Sequence, residues 1–307
     1  MGSGMGASVK VVIDSAEYQY LNDLNTLKGS SSYWVALNIS VAGNLKFQHL
    51  IDDIKDIENK LDTLKEMSDE YLEKLQNALR GYNEVIIYQF KDYDILALVN
   101  VKDNSEGREV QQICEKLKES RGAVTFNQGV LTYELYRYQK MVDEKFLSRQ
   151  RMEALENMTD KAKTDSIPLR RKRRDEQVIM IVEDDRFTAS YTASLLNKEF
   201  DVVCAKNGED AIDKYIEHAP DAVFLDIILP GISGKDTLKG IKAVDPDAFV
   251  VMLSVDTVAK NIKEASKEGA YGFLKKPFGK ERLVKTARKS PFIKQEYVKS
   301  PPEMHSV

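Results

Sequence analysis

The sequence predicts an α/β chain in which an α+β domain and a helical connector precede a C-terminal, doubly wound, five-stranded parallel sheet. Three observations carry that expectation. Val178–Asp185 (VIMIVEDD) is a short β-branched run that stops in three consecutive acids, Glu183, Asp184 and Asp185, which reads as a buried strand with a charged end. Three later apolar stretches end likewise in a chemically distinct residue: Ala222–Asp226 in an acid, Phe249–Ser254 in a hydroxyl and Tyr271–Lys276 in a cation. Stretches of helical length alternate with these strands, and an open parallel sheet turns all its strand C-termini towards one crevice.

The N-terminal domain is placed at residues 7–130. Val9–Ile13 is a short apolar strand or sheet edge, and Tyr33–Val41 (YWVALNISV) is a stronger strand, apolar and β-branched. A long helical tract covers Phe47–Arg80, with Ile54, Ile57, Leu61, Leu64, Tyr71 and Leu75 repeating at three- and four-residue gaps. The repeat lapses at Ser68, which precedes Asp69 and Glu70, so a second helix is expected to be capped there. Asn83–Phe90 and Asp94–Val101 flank Lys91-Asp92-Tyr93 as a β-hairpin, Val110–Ser120 is an amphipathic helix, and Ala123–Phe126 a short strand. That order is ferredoxin-like or palm-like.

The connector covers residues 131–175. Leu131–Asp165 is polar and charged, with Tyr133, Tyr136, Tyr138, Met141, Phe146, Met152 and Leu155 as apolar points, which suits one long helix. Ser166-Ile167-Pro168 is expected to stop it, and Arg170-Arg171-Lys172-Arg173-Arg174 follows. Such a run is compatible with nucleic acid or another anionic surface. Without a recognisable reader fold beside it, a solvated linker is expected.

The last domain occupies residues 176–289. After the first strand come a helix at Thr188–Asn197, an edge-like strand at Val202–Ala205 and a helix at Glu209–His218. The central strand Asp221–Asp226 precedes helices at Lys235–Ala243, Thr257–Gly269 and Lys280–Lys289. Residues 290–307 form a Pro-punctuated tail too short for a DNA-binding domain. Met1–Gly6 (MGSGMG), with a second start methionine at Met5, reads as an added leader that takes no part in the fold.

Composition narrows the function classes. With 45 basic and 49 acidic residues the net charge is −4, so nothing pulls the whole chain towards nucleic acid. Cys114 and Cys204 are too far apart in sequence for a disulfide framework or a cysteine zinc site, and His49, His218 and His305 are scattered. No apolar run approaches membrane-spanning length and no signal peptide opens the chain, so a reducing, cytoplasmic setting is expected.

The acidic cluster, the string Leu225–Gly234 (LDIILPGISG), Ser254, Phe273 and Lys276-Pro277-Phe278 stand in an order that resembles the receiver domain of two-component response regulators, over Glu176–Lys289. The resemblance implies a flavodoxin-like sheet of order 2-1-3-4-5. It implies that Asp226 is the phosphoacceptor, taking a phosphoryl group from a phosphohistidine donor in a self-catalysed reaction that is also self-reversed by hydrolysis. Mg2+ would lie on Glu183, Asp184, Asp226 and the backbone carbonyl of Ile228, with Asp185 outside that shell. Lys276, before a cis proline, and Ser254 would contact the phosphoryl oxygens. Ser254 and Phe273 would form the switch, acting on a surface made by Thr257–Gly269, the last strand and the final helix. Val255 departs from the small residue usual there, and its β-branch should narrow access to the phosphoryl site. Each residue also has a plainer reading: acids in a solvated loop, Asp226 in a turn, Ser254 as a strand end and Lys276 as a surface charge.

The N-terminal domain resembles, more faintly, a degenerate GGDEF (diguanylate cyclase) domain. Ser68–Leu72 with Leu75 and Leu79 match the helix before the hairpin, and Phe90-Lys91-Asp92-Tyr93-Asp94 falls at the signature turn. Phe90 and Lys91 replace two glycines, Tyr93 replaces the catalytic acid, and the metal-binding strand reads Asn38-Ile39-Ser40. An inactive domain is therefore expected, an unrelated α+β interaction module being the alternative.

The function expected is a response regulator with a sensor histidine kinase or histidine phosphotransfer protein upstream. Output would pass through the N-terminal domain, or through protein contacts of the receiver itself, and a homodimer stays open. The alternatives are an active diguanylate cyclase under receiver control, a nucleic-acid-binding regulator using the basic linker, and a phosphotransfer scaffold using His49.

Overall fold

The computed structural model describes residues 8–28, 32–41, 56–118, 124–131, 133–255 and 265–294. The readings made for Met1–Gly6, His49, His305, most of the Thr257–Gly269 helix and the tail beyond Lys294 lie outside the described residues. The chain divides into two compact units: unit 1 takes residues 1–46 and 56–152, and unit 2 takes residues 47–55 and 153–307.

Unit 1 is a five-stranded mixed sheet. Its elements run β1 (Ser8–Val12), α1 (Ala16–Leu27), β2 (Tyr33–Ser40), α2 (Ile57–Leu79), β3 (Glu84–Gln89), β4 (Ile95–Val101), α3 (Asn104–Lys118) and β5 (Thr125–Val130). Strand order is β1-β3-β4-β2-β5, with β1 parallel to β3 and the other pairs antiparallel. Without β1 this is the ferredoxin-like arrangement expected from the element order. Alternation along β2 sends Val35, Leu37 and Ile39 into a core with Leu64, Leu75 and Leu79 of α2, while Trp34 and Ala36 meet Tyr20, Leu24 and Tyr138 on the other face.

Two sequence expectations fail in this unit. Helix α1 was not foreseen, although Ala16, Tyr20 and Leu24 lie one turn apart and are buried. The predicted break at Ser68 is absent: α2 is one helix of 23 residues. Ser68 is buried inside it, its Oγ donating to the Tyr93 carbonyl at 2.7 Å and accepting from Gln89 Nε2 at 2.7 Å. A serine that finds tertiary partners need not cap a new helix.

Helix α4 (Leu135–Thr159) is the long connector helix, and the division between units falls within it, after Met152. The basic stretch corrects the sequence reading. The long helix ends at Thr159, ahead of Ser166-Ile167-Pro168, and Pro168 lies instead in the first turn of a further helix, α6 (Ile167–Arg173), which follows the short α5 (Lys161–Thr164). Arg170 donates to the carbonyls of Ile216 and Glu217, and Arg174 to those of His218 and Ala219 and to Asp221. Arg171 is buried, bonds Asp245 at 2.5 Å and Tyr215 Oη at 2.7 Å, and lies 4.1 Å from the centre of the Phe292 ring. Three of the four arginines are thus committed to the last carbonyls of one helix and to buried acids, a setting that suits guanidinium geometry.

The rest of unit 2 alternates strand and helix: β6 (Val178–Val182), α7 (Arg186–Leu196), β7 (Asp201–Ala205), α8 (Gly208–His218), β8 (Ala222–Asp226), α9 (Gly234–Val244), β9 (Val250–Ser254), β10 (Gly272–Lys275) and α10 (Lys280–Ala287). The five strands are all parallel in the order β10-β9-β8-β6-β7. Renumbered from the first strand, that is the expected 2-1-3-4-5. The central strands β6 and β8 are buried on both faces, as covering helices require.

Candidate functional site

The acids arrive at one place because β6 and β8 are hydrogen-bonded neighbours with their C-termini level: Val182 pairs with Leu225, so Glu183 and Asp226 leave the sheet side by side. Glu183, Asp184 and Asp226 each bring a carboxylate oxygen within 4.8 Å of the others. Lys276 comes from the end of β10, and its Nζ lies 2.5 Å from Glu183 Oε2 and 2.5 Å from Asp226 Oδ2. The Lys276-Pro277 bond is cis. Ser254 is buried at the end of β9, opposite Lys275, and its carbonyl accepts from the Lys276 amide at 2.8 Å. Phe273, half-buried, stands on the same sheet face two pairs earlier, opposite Met252.

Asp185 does not join the cluster. It is the N-cap of α7, its carboxylate accepting from the Thr188 amide at 2.8 Å and hydroxyl at 2.7 Å. Those bonds hold its pKa below the usual value. Three successive acids thus divide into two that face the crevice and one that starts a helix.

The turn after Asp226 is shaped by two glycines. Gly231 has φ +78°, and a Cβ there would also meet the Glu209 carboxylate at 2.4 Å; at Gly234 it would meet the Asp226 carbonyl oxygen at 2.0 Å. The Gly234 amide donates to the Ile227 carbonyl at 3.1 Å, and the Ile228 amide to Asp226 Oδ1 at 3.3 Å. The chain therefore doubles back beside the Asp226 carboxylate. Glu209, read from the sequence only as a helix start, is fully buried and accepts from the Ile232 amide at 3.3 Å, supporting this turn. Its signal was indirect: an acid just inside a helix, 21 residues before the Pro230-Gly231 turn.

Charge follows geometry. Burial pushes the Glu183 carboxyl up, and the neighbouring Asp226 and Asp184 add to the rise, against the opposing pull of Lys276. Burial works against the Lys276 ammonium too, but hydrogen bonds and attraction from Asp226 and Glu183 prevail and raise its pKa. Three carboxylates share one ammonium, and this excess negative charge of hard oxygen donors suits a divalent cation. Phe187, Thr188, Tyr191, Val255, Pro277 and Phe278 wall a recess over Lys276, with Val255 69% exposed.

Residues 179–288 match the family model of the response regulator receiver domain. The chemotaxis protein CheY of Bacillus subtilis is 37% identical over 114 residues, covering 36% of this chain and 95% of CheY. The chain belongs to the response regulator receiver family. The sensory transduction protein LytT of Oceanobacillus iheyensis is 33% identical over 108 residues, 34% of this chain and 44% of that protein. Among solved structures, the receiver domain of NtrX from Brucella abortus has 31% identity, covers 36% of this chain and 96% of its own, and gives a TM-score of 0.35. Unit 2 thus contains the CheY-like receiver domain of a two-component response regulator, which implies a phosphodonor such as a histidine kinase. No helix among the described residues is long and apolar enough to cross a membrane.

Proposed function

We propose that Asp226 is the phosphoacceptor of this receiver. The observation that carries the reading is the convergence of Glu183, Asp184 and Asp226 at two adjacent strand ends, with the Lys276 ammonium bonded to two of them. An Asp226 carboxylate oxygen forms a bond to phosphorus as the P–N bond of a phosphohistidine breaks, and the released imidazole keeps the bonding pair. The transferring group needs positioning and charge neutralisation more than covalent assistance. Lys276 pairs with one phosphoryl oxygen and the Ser254 hydroxyl donates to another. Mg2+ fits the oxygen donor set; Glu183, Asp184, Asp226 and the Ile228 carbonyl would hold it, and it would neutralise charge on the phosphoryl oxygens.

Ser254 moves towards the phosphoryl group and Phe273 turns into the space released, biasing a two-state surface that includes β10 and α10. Output runs through unit 1 to a protein partner, in the cytoplasm. Unit 1 is read as a degenerate, inactive GGDEF-like module, in keeping with Phe90, Lys91 and Tyr93 at its β3–β4 turn. The deciding experiment treats the chain with acetyl phosphate and Mg2+ and compares it with Asp226→Asn by intact mass. One phosphoryl adduct on the unsubstituted chain and none on the variant is the expected result. An equal adduct on both would end the proposal.

A further inference from the structure

Unit 1 holds a second buried cluster of charge, remote in sequence from the receiver chemistry. Lys145 of α4 reaches the turn between β3 and β4, where its Nζ donates to Asp92 Oδ2 at 2.8 Å and to Asp94 Oδ2 at 2.5 Å. All three side chains are at most 9% exposed. Asp94 also accepts from Ser40 Oγ at 3.0 Å and from the Val41 amide at 2.7 Å, while its own amide donates to Asp92 Oδ1 at 3.2 Å. Two carboxylates buried together repel and resist ionisation unless a cation lies between them. In many proteins that cation is a divalent metal. Here it is an ammonium, which burial alone would discharge but which Asp92 and Asp94 keep charged, its pKa raised above the usual lysine value.

A second cation works from the same helix. One turn beyond Lys145, Arg149 Nη1 lies 3.1 Å from Glu17 Oε2, and the other oxygen of Glu17 accepts from the Lys91 amide at 2.8 Å. The turn is held on a third side where the Tyr93 carbonyl accepts from Ser68 Oγ. Residues 90–94 are therefore tied to α4 through Lys145 directly and through Glu17 and Arg149.

We propose that Lys145 is a built-in cation: its ammonium occupies the place between Asp92 and Asp94 that a divalent ion would need, so that the β3–β4 turn keeps its shape and its hold on α4 without metal. Unit 1 is then metal-independent at this turn, whatever the receiver binds. The inference does not rest on the phosphoacceptor reading, and the test separates the two by counting ions.

The full chain is titrated with Mn2+, and bound ions are counted by electron paramagnetic resonance in wild type, Lys145→Ala and Lys145→Gln. The glutamine keeps much of the bulk should the alanine fail to fold. Thermal melts of each protein in EDTA and in Mn2+ are followed by the fluorescence of Trp34, the single tryptophan, which is buried in unit 1. Wild type should show no ion at the turn and a Trp34 melt indifferent to EDTA. At least one variant should gain one Mn2+, with a Kd on the order of 10⁻⁴–10⁻³ M, and a Trp34 melt that rises with the ion. Lys145→Ala combined with Asp92→Asn and Asp94→Asn should lose that gain. A wild type whose Trp34 melt depends on Mn2+, or variants that gain no ion or stay unfolded at every Mn2+ concentration, would overturn the proposal. A wild type that binds no Mn2+ anywhere would count against the receiver site alone.

Discussion

Asp213 offers a prediction with a number in it. It lies on α8, facing a cavity of about 770 Å³ that Glu153, Asn157, Lys163 and Arg170 also line. Burial, with Glu153 and Asp210 nearby, lifts its carboxyl from the usual 3.8 to about 6, against the Asn157 Nδ2 hydrogen bond at 3.0 Å and the charge of Lys163. A carboxyl whose pKa is raised on folding binds its proton more tightly in the folded state. Its contribution to stability is therefore most favourable below the unfolded pKa and falls as pH rises from about 4 to about 6. At about 1.4 kcal/mol per pH unit the ceiling is about 3 kcal/mol, and solvent around a half-buried group reduces this to about 1–2 kcal/mol. Asp213→Asn keeps the acceptor for Asn157 and removes the charge. It should raise the unfolding free energy by about 1–2 kcal/mol at pH 7.5 and change it little at pH 4. Trp34 reports unit 1, so the assay is urea unfolding read by hydrogen exchange at β6 and β8 amides, across that pH range. A difference between variant and wild type that does not change with pH, or a variant less stable at pH 7.5, would refute the reasoning.

Lys276→Ala leaves three carboxylates facing one another, and should lower the stability of unit 2 in EDTA by about 1–3 kcal/mol, partly restored by millimolar Mg2+ in urea melts. Val255→Ala opens the wall of the recess beside Lys276 and should speed phosphorylation by acetyl phosphate several-fold in a mass-spectrometric time course; an unchanged rate removes the steric argument. Arg171→Ala leaves buried Asp245 with the Tyr215 hydroxyl and the Asp247 amide but without its guanidinium, and should cost about 3 kcal/mol of unit 2 stability by chemical denaturation. Incubation with GTP and Mg2+ should yield no cyclic dinucleotide by chromatography, and any product would revive a catalytic unit 1.

The receiver was legible because its information is local and ordered: each strand is a short apolar run, and each ends in one residue of distinct chemistry. Parallel pairing of β6 with β8 then brings Glu183 and Asp226 together with no further instruction. Unit 1 was legible as an order of elements, but the partners of its polar residues were not. Ser68 looked like a cap because its neighbours in sequence are acids; its actual partners are Gln89 and Tyr93, some twenty residues away. Helix α1 is hard to see in the sequence because Tyr18 and Leu21, both exposed, blur the stripe made by Ala16, Tyr20 and Leu24.

The misread basic stretch bears on how cationic runs are read. The run Arg170–Arg174 is expected from the sequence to be a solvated linker, because pattern reasoning treats lysine and arginine as surface residues. In the fold these cations meet backbone carbonyls and buried carboxylates of the chain itself: the last turn of α8 for Arg170 and Arg174, Asp245 for Arg171, Asp92 and Asp94 for Lys145. A guanidinium held by internal acceptors has fewer donors left for phosphates, so the exposed positive charge of 170–174 falls mainly to Lys172 and Arg173. Binding to nucleic acid through phosphates scales with the number of cations free to displace counterions, and two are few. A shift assay at low salt should accordingly show at most weak retention of DNA. Retention that is strong, steeply salt-dependent and abolished by Lys172→Ala with Arg173→Ala would reverse that conclusion.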